Sequence, residues 1–208
     1  MMQTLGKRLA TATAVTLAGL LPILGLFFTI HATTDHAEVP TALVSHVDDA
    51  APAFSLDAVS DDVLWLARCV YSETKRADEQ ELVAWVIRNR VETEYRGQDT
   101  YKGVVLDPYQ FSAFNPGDPK RRLYTSLAPS PDFPAFNKAL EVAHSVYYAP
   151  EADRPFALNT RHFYSERSMV GGRAPNWSEG HAPIRLTGFR IDPRRFRFYK
   201  GVAAALPL

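Results

Sequence analysis

The chain has 208 residues, and 23 acidic residues balance 23 Lys and Arg to give a formal net charge of zero. This length suffices for one ordinary domain with extensions. A neutral chain offers no overall positive field for nucleic acid, so we expect no nucleic-acid partner. A single cysteine excludes a disulfide within the chain and leaves the redox compartment open.

Residues 1–31 predict a signal anchor or a signal peptide. Lys7 and Arg8 precede an apolar run over residues 9–30, a pattern typical of export signals. The run is long enough to span a bilayer. Residues 30–32 match the small-x-small cleavage pattern poorly, so an uncleaved membrane anchor is favoured. Basic residues before the run and none directly after it predict a domain outside the cytoplasm, in the cell envelope.

An acidic flexible linker is predicted over residues 32–55, and a folded domain over residues 56–208. From Ala32 to Asp62 there are seven acidic residues and no Lys or Arg. Such a composition is typical of a solvated linker. It would let the domain sample the volume near a membrane.

Residues 60–91 predict two helices joined by a short polar turn, with Glu73 at the junction. Ser60 suits the N-cap of the first helix. The helix has a buried stripe at helical spacing: Val63, Leu66, Ala67, Val70 and Tyr71. Glu73 falls beside this stripe at the C-terminal end, where burial and the helix dipole raise a carboxyl pKa and favour acid catalysis. The alternative is a surface glutamate paired with Lys75 or Arg76.

The second helix is predicted from about Glu79 to Val91. Asp78 and Glu81 have the spacing of a capping box. Asn89 near its end is open to two interpretations, a helix-end residue or a hydrogen-bonding contact for a substrate.

A long packed loop and a third helix follow. Residues 92–131 are rich in Pro, Gly and aromatic residues without periodicity, as in loops that shape binding clefts. Within them, residues 101–106 predict a short helix or strand. The third helix is predicted from Pro134 to Tyr148, with Asp132 as its cap and His144 as a packing residue.

The C-terminal part predicts a small antiparallel sheet. Residues 157–164 have the alternation of a strand, and residues 189–191 and 195–199 predict two short strands or one hairpin. Helices followed by such a sheet indicate an α+β fold.

Five blocks of sequence carry a family resemblance: LARCVYSETKRADEQELVAWVIRNRV, GVVLDPYQFS, ALNTRHFY, APNWSEG and FRIDPRRFRFY. In this order, over about residues 62–200, they resemble the SleB-like cell wall hydrolases, the spore-cortex-lytic type that is widespread in bacteria and phages. The resemblance implies a lysozyme-like, lytic-transglycosylase-related helical core that acts on peptidoglycan glycan strands. It also implies that the catalytic acid is the Glu of a Tyr-x-Glu motif, which is Glu73 here.

The chain departs from the family at two points. The usual Ala/Gly-rich turn is replaced by the bulkier, basic residues 72–76. The family's peptidoglycan-binding repeats are absent, so the membrane anchor would take over their localising role.

The number of carboxylates bears on the reaction. Hydrolysis of a glycosidic bond usually needs a second carboxylate roughly 5 to 9 Å from the acid. Glu166, Glu179 and Asp107 are candidates, but no spacing singles one out. A transglycosylase needs only one Glu as acid and then base, so one favoured Glu suits lytic cleavage.

Sugars bind through aromatic faces and through amide or hydroxyl groups. Five side chains are therefore candidate substrate contacts: Gln110, Ser112, Asn159, Tyr164 and Trp177. A structural role is the alternative for each. We expect no cofactor and no metal.

The sequence leaves three rival functions open. A cysteine peptidase would use Cys69 with His162 or His181, but Cys69 lies mid-helix on the apolar side, where a core role is favoured. A zinc-dependent N-acetylmuramoyl-L-alanine amidase is weaker, because His144, His162 and His181 lack ligand spacing. A non-catalytic peptidoglycan-binding protein would tolerate loss of Glu73, which is retained.

Overall fold

Helices packed around one hydrophobic core, with a small sheet at one side, make up residues 51–204, the part of the chain that this computed structural model describes. In these residues the α-helices and β-strands are α1 (Asp61–Glu73), α2 (Ala77–Glu92), α3 (Tyr101–Leu106), α4 (Arg121–Thr125), α5 (Pro134–Tyr148), β1 (Thr160–Tyr164) and β2 (Arg197–Lys200). The α+β prediction is confirmed.

The core lies where α1, α2 and α5 meet. The side chains of Leu66, Leu82 and Leu140, one from each helix, are fully buried there. At the start of α1 the Ser60 hydroxyl accepts a hydrogen bond from the Val63 N–H at 3.3 Å, so the predicted cap is confirmed. Glu73 is the last residue of this helix.

The predicted start of α2 was wrong by two residues. The helix begins at Ala77, and Asp78 lies inside its first turn instead of capping it. The preceding turn is held by Thr74, whose carbonyl accepts a hydrogen bond from the Gln80 side-chain amide at 2.9 Å. This hydrogen bond stabilises the turn before α2, so the turn does not need a capping box.

Helix α5 has the predicted bounds, but Asp132 does not cap it. The helix starts directly after Phe133 with Pro134 at its first position, where the fixed φ of proline suits a helix. The ring of His144 packs 5.4 Å from that of Phe54. This contact confirms the packing role of His144.

The sheet is smaller than predicted. β1 and β2 pair antiparallel, with Phe163 opposite Phe198. Residues 189–191 form no strand, so the predicted hairpin was wrong. The Ile184 N–H donates to the Phe198 carbonyl at 2.9 Å. This carbonyl of β2 is therefore paired with an irregular segment and not with a third strand.

Residues 101–106 form a short helix, capped by the Thr100 hydroxyl, which accepts from the Gly103 N–H at 3.1 Å. None of the helices within residues 51–204 has the length and apolar character needed to cross a membrane. The predicted anchor over residues 1–31 and most of the predicted linker lie outside the described residues.

Asn89 ties α2 to the segment that leads into β1. Its side chain is fully buried, and its amide nitrogen donates to the carbonyls of Ala157 at 3.2 Å and Thr160 at 2.9 Å. Its amide oxygen accepts a hydrogen bond from Arg154. These contacts favour the structural interpretation over a substrate contact.

Asn89→Ala is therefore expected to lower the free energy of unfolding by about 2–3 kcal/mol, because the buried Thr160 carbonyl loses this donor and Arg154 loses an acceptor. Urea denaturation measures the change. Asp99→Ala, at an exposed surface position, is the control and should change stability by less than about 0.5 kcal/mol. A loss for Asn89→Ala no larger than that of the control would contradict the structural role.

Candidate active site

A cleft of about 410 Å³ opens beside the C-terminal end of α1. Its walls come from α1, α2, the loop after α3, the end of β1 and the segment before β2. Glu73 and Arg90 contribute charged groups, and Gln110, Ser112 and Tyr164 contribute polar or aromatic groups. Glu73 is the only carboxylate among the described residues that line the cleft.

The carboxyl of Glu73 is half-buried and receives no hydrogen bond from any residue within 51–204. Burial raises its pKa from 4.5 to about 7, against a smaller lowering by the guanidinium of Arg90. A carboxyl with this pKa carries a proton through much of the neutral range, as a general acid requires.

Thr74 and Glu79 fix the turn that follows Glu73. The Thr74 hydroxyl donates to the buried Glu79 carboxylate at 2.6 Å. Arg195 donates two hydrogen bonds to the same carboxylate, at 2.7 and 2.9 Å. Burial opposes ionisation of Glu79, but the bonds from Arg195 and Thr74 hold its pKa below the usual value. The turn is therefore anchored to the segment before β2.

Lys75 and Arg76 do not pair with Glu73, so the surface-pair alternative was wrong. The ammonium of Lys75 donates to the Tyr71 carbonyl and lies 3.2 Å from the centroid of the Tyr71 ring. Arg76 is largely exposed and lies 3.4 Å from Glu79. The cation that lowers the pKa of Glu73 is Arg90.

Three of the five predicted contacts share the cleft with Glu73, namely Gln110, Ser112 and Tyr164. Asn159 and Trp177 are outside the set that lines it. Asn159 is exposed and its carbonyl accepts from Gly201 N–H at 3.1 Å. The ring of Trp177 packs against Tyr164 and other aromatic rings of a second, smaller cluster.

Tyr109 and Asn115 also line the cleft and were missed as site residues. Tyr109 is 83% exposed and has a φ of +65°, a conformation uncommon for a side-chain-bearing residue. Its backbone N–H donates to the Asn115 side-chain oxygen at 2.8 Å. The Pro before Tyr109 and the turn-rich residues after it were the available sequence signal.

The proposed second carboxylates have other partners or lie on the surface. Asp107 forms a largely buried ion pair with Arg96 at 2.6 Å. Glu166 pairs with Arg197. Glu179 is exposed. None of the three carboxylates lines the cleft.

Cys69 is fully buried in the core, and this burial raises the pKa of its thiol. A nucleophilic cysteine needs the opposite shift and an accessible sulfur. His162 shares a hydrogen bond with the Tyr95 hydroxyl at 3.0 Å, and burial lowers its pKa to about 4. Among residues 51–204, no group of three His, Cys, Asp or Glu side chains could hold a metal ion.

The raised pKa of Glu73 makes stability depend on pH. The folded state binds the proton more tightly than the unfolded state, so stability falls as pH rises from about 4.5 through 7. The loss approaches about 3 kcal/mol above this window. Glu73→Gln removes the ionisation, so the variant should exceed the parent protein in stability at pH 8 and match it near pH 4.

Urea denaturation at both pH values measures this difference. The matched control is Glu151→Gln, at an exposed glutamate remote in sequence from the cleft residues. A Glu73→Gln effect that is the same at pH 4 and pH 8 would contradict the burial of an ionisable Glu73.

Comparison with known proteins identifies the family. A sequence model of the Cell Wall Hydrolase family matches residues 74–188, more than half of the chain. The matched span begins one residue after Glu73. No curated protein and no solved structure matches the chain, so the lysozyme-like relationship stays a prediction. The chain belongs to the Cell Wall Hydrolase family, and its role is that of a peptidoglycan hydrolase.

Proposed function

We propose that this hydrolase cleaves the glycan strand of peptidoglycan as a lytic transglycosylase, with Glu73 as general acid and then base. The observation that carries the proposal is the state of Glu73. It is half-buried, its pKa is about 7, and it is the only carboxylate among the described residues that line the cleft. One carboxyl that both gives and accepts a proton near neutral pH suffices for this reaction.

The reaction needs two proton transfers at Glu73. The protonated carboxyl gives its proton to the glycosidic oxygen, and the bond between that oxygen and C1 of the muramic acid breaks. The resulting carboxylate takes the proton from the 6-hydroxyl of the same sugar. The oxygen of that hydroxyl then bonds to C1. The product is a 1,6-anhydro ring, no water is consumed, and Glu73 regains its proton.

Gln110, Ser112 and Tyr164 are the proposed substrate contacts, and Tyr109 and Asn115 join them. Amide and hydroxyl groups suit the hydroxyl and acetamido groups of the sugars, and an exposed ring at the rim suits a sugar face. The Asn115 side chain accepts a hydrogen bond from the Tyr109 backbone N–H, which supports a fixed backbone position for Tyr109 at the cleft.

We propose that the enzyme works in the cell envelope, outside the cytoplasm. The support is the order of basic and apolar residues in the first 31 positions. Peptidoglycan lies in the same compartment, so the proposed location agrees with the family's substrate.

Glu73→Gln should reduce release of soluble peptidoglycan fragments at least about a hundredfold, because the amide keeps the shape and lacks the transferable proton. Turbidity loss of purified sacculi measures the rate. Cys69→Ala is the matched control on the same helix. It should stay active and lose about 1–2 kcal/mol of stability through lost packing.

The two variants separate the mechanisms. A folded Glu73→Gln protein with more than a few per cent of the parent rate would refute Glu73 as the acid. Complete inactivation of a folded Cys69→Ala protein would favour the peptidase instead.

Released fragments are expected to carry 1,6-anhydromuramic ends. Such ends are lighter than reducing ends by about 18 Da, the mass of one water, because water takes no part in the reaction. Mass spectrometry of the fragments, before and after borohydride reduction, distinguishes the two. Fragments with only reducing ends would refute the transglycosylase mechanism, and release of peptides from uncut strands would favour an amidase.

A further inference from the structure

Arg90 is a buried cation in the wall of the cleft. Its side chain is only 5% exposed, and none of its nitrogens lies within ion-pair distance of a carboxylate in residues 51–204. Its Nε donates to the Arg161 carbonyl at 2.8 Å. Its Nη1 is buried and has no hydrogen-bond partner. A buried guanidinium with an unused donor is costly unless a ligand completes it.

Among the described residues, Arg167 and Arg195 also line the cleft, and both are already paired with carboxylates. Arg167 pairs with Asp192 at 2.6 Å, and Arg195 pairs with Glu79 at 2.7 Å. Glu73 is neutral when it carries the proton that the reaction needs. The cleft in its acid-competent state therefore holds one uncompensated positive charge, and that charge belongs to Arg90.

Two aromatic rings hold Arg90 in place. Its guanidinium carbon lies 5.2 Å from the centroid of Tyr95 and 5.1 Å from that of Phe111. These contacts and the bond to Arg161 leave the guanidinium little freedom to reach a partner elsewhere. A planar guanidinium fixed in this way is suited to a carboxylate.

We infer that Arg90 receives the free lactyl carboxylate of muramic acid, so that the enzyme prefers glycan strands from which the stem peptides have been removed. This inference rests on the proposed function, because it concerns the same cleft. The lactyl group belongs to the sugar whose C1 reacts beside Glu73, and Arg90 lines the same cleft as Glu73. Stem-peptide carboxylates lie farther along a flexible chain.

The inference gives the enzyme a place in a reaction sequence. In a strand that bears peptides, the lactyl carboxyl is an uncharged amide and cannot pair with Arg90. Hydrolysis of the bond between muramic acid and the peptide frees the carboxylate. A reaction of the amidase class would therefore supply the preferred substrate.

Pairing would also help the chemistry at Glu73. The positive charge of Arg90 favours the ionised form of Glu73. A substrate carboxylate on Arg90 offsets that charge, so Glu73 keeps its proton to higher pH in the complex. The alkaline limb of the rate profile should then lie at higher pH for strands with free carboxylates than for strands without them.

The test compares three substrates with the full-length chain. They are peptide-free strands with free lactyl carboxylates, the same strands converted to primary amides, and intact peptidoglycan. The parent protein should cleave the free-carboxylate strands with a kcat/KM roughly tenfold or more above that of the amides, as expected for one charge-assisted contact. Arg90→Gln should cleave both at equal rates, and Arg90→Lys should keep part of the preference.

Arg185→Gln, which removes one exposed positive charge outside the cleft lining, should retain the parent's preference. If Arg90→Gln does not fold, the substrate comparison and the pH profiles of the parent protein remain the test. Equal cleavage of carboxylate and amide strands by the parent protein would overturn the inference about Arg90 and leave the proposed function intact. A preference for intact peptidoglycan would assign the carboxylate to the stem peptide and overturn it as well. Cleavage of no strand would overturn the proposed function.

Discussion

The ion pair between the buried carboxylate of Glu79 and the partly exposed Arg195 joins the parts of the chain that form the cleft. Glu79 lies in the first turn of α2, and its carboxylate accepts two hydrogen bonds from Arg195, a residue 116 positions later. Thr74, directly after Glu73, donates a third. Because a buried carboxylate that loses its partner is strongly destabilising, the turn after Glu73 and the segment before β2 hold each other in position.

Glu73 and Glu79 lie at the two sides of one turn and have opposite electrostatic environments. Glu79 is buried, accepts three hydrogen bonds and stays ionised. Glu73 is half-buried, accepts no hydrogen bond from residues 51–204 and keeps its proton to about pH 7. The ion pair of Glu79 thus anchors the turn, while the carboxyl of Glu73 has no ion-pair partner in the described part of the chain. An acid at the end of a packed helix is also more rigidly positioned than one on a loop.

The sequence predicted only part of the candidate site, namely Glu73, Gln110, Ser112 and Tyr164. Gln110 and Ser112 share the cleft with Glu73 because one loop carries both. Trp177 has the chemistry of a sugar platform, but its ring packs in the second aromatic cluster against Tyr164. Aromatic residues serve cores and binding surfaces equally well, so composition alone does not distinguish the two uses. That the Tyr109 side chain is exposed could be seen only in the folded structure.

Local sequence patterns were enough to predict the bounds of α1 and α5, the Ser60 cap and the position of Glu73 at a helix end. These features depend on local periodicity and on contacts within a few residues. The start of α2, the pairing of β2 with β1 and the identity of Arg90 as the cation that lowers the pKa of Glu73 depend on packing between distant parts of the chain. Electrostatic interaction and burial depend on distance in space, and only the packing of the helices brings these groups together.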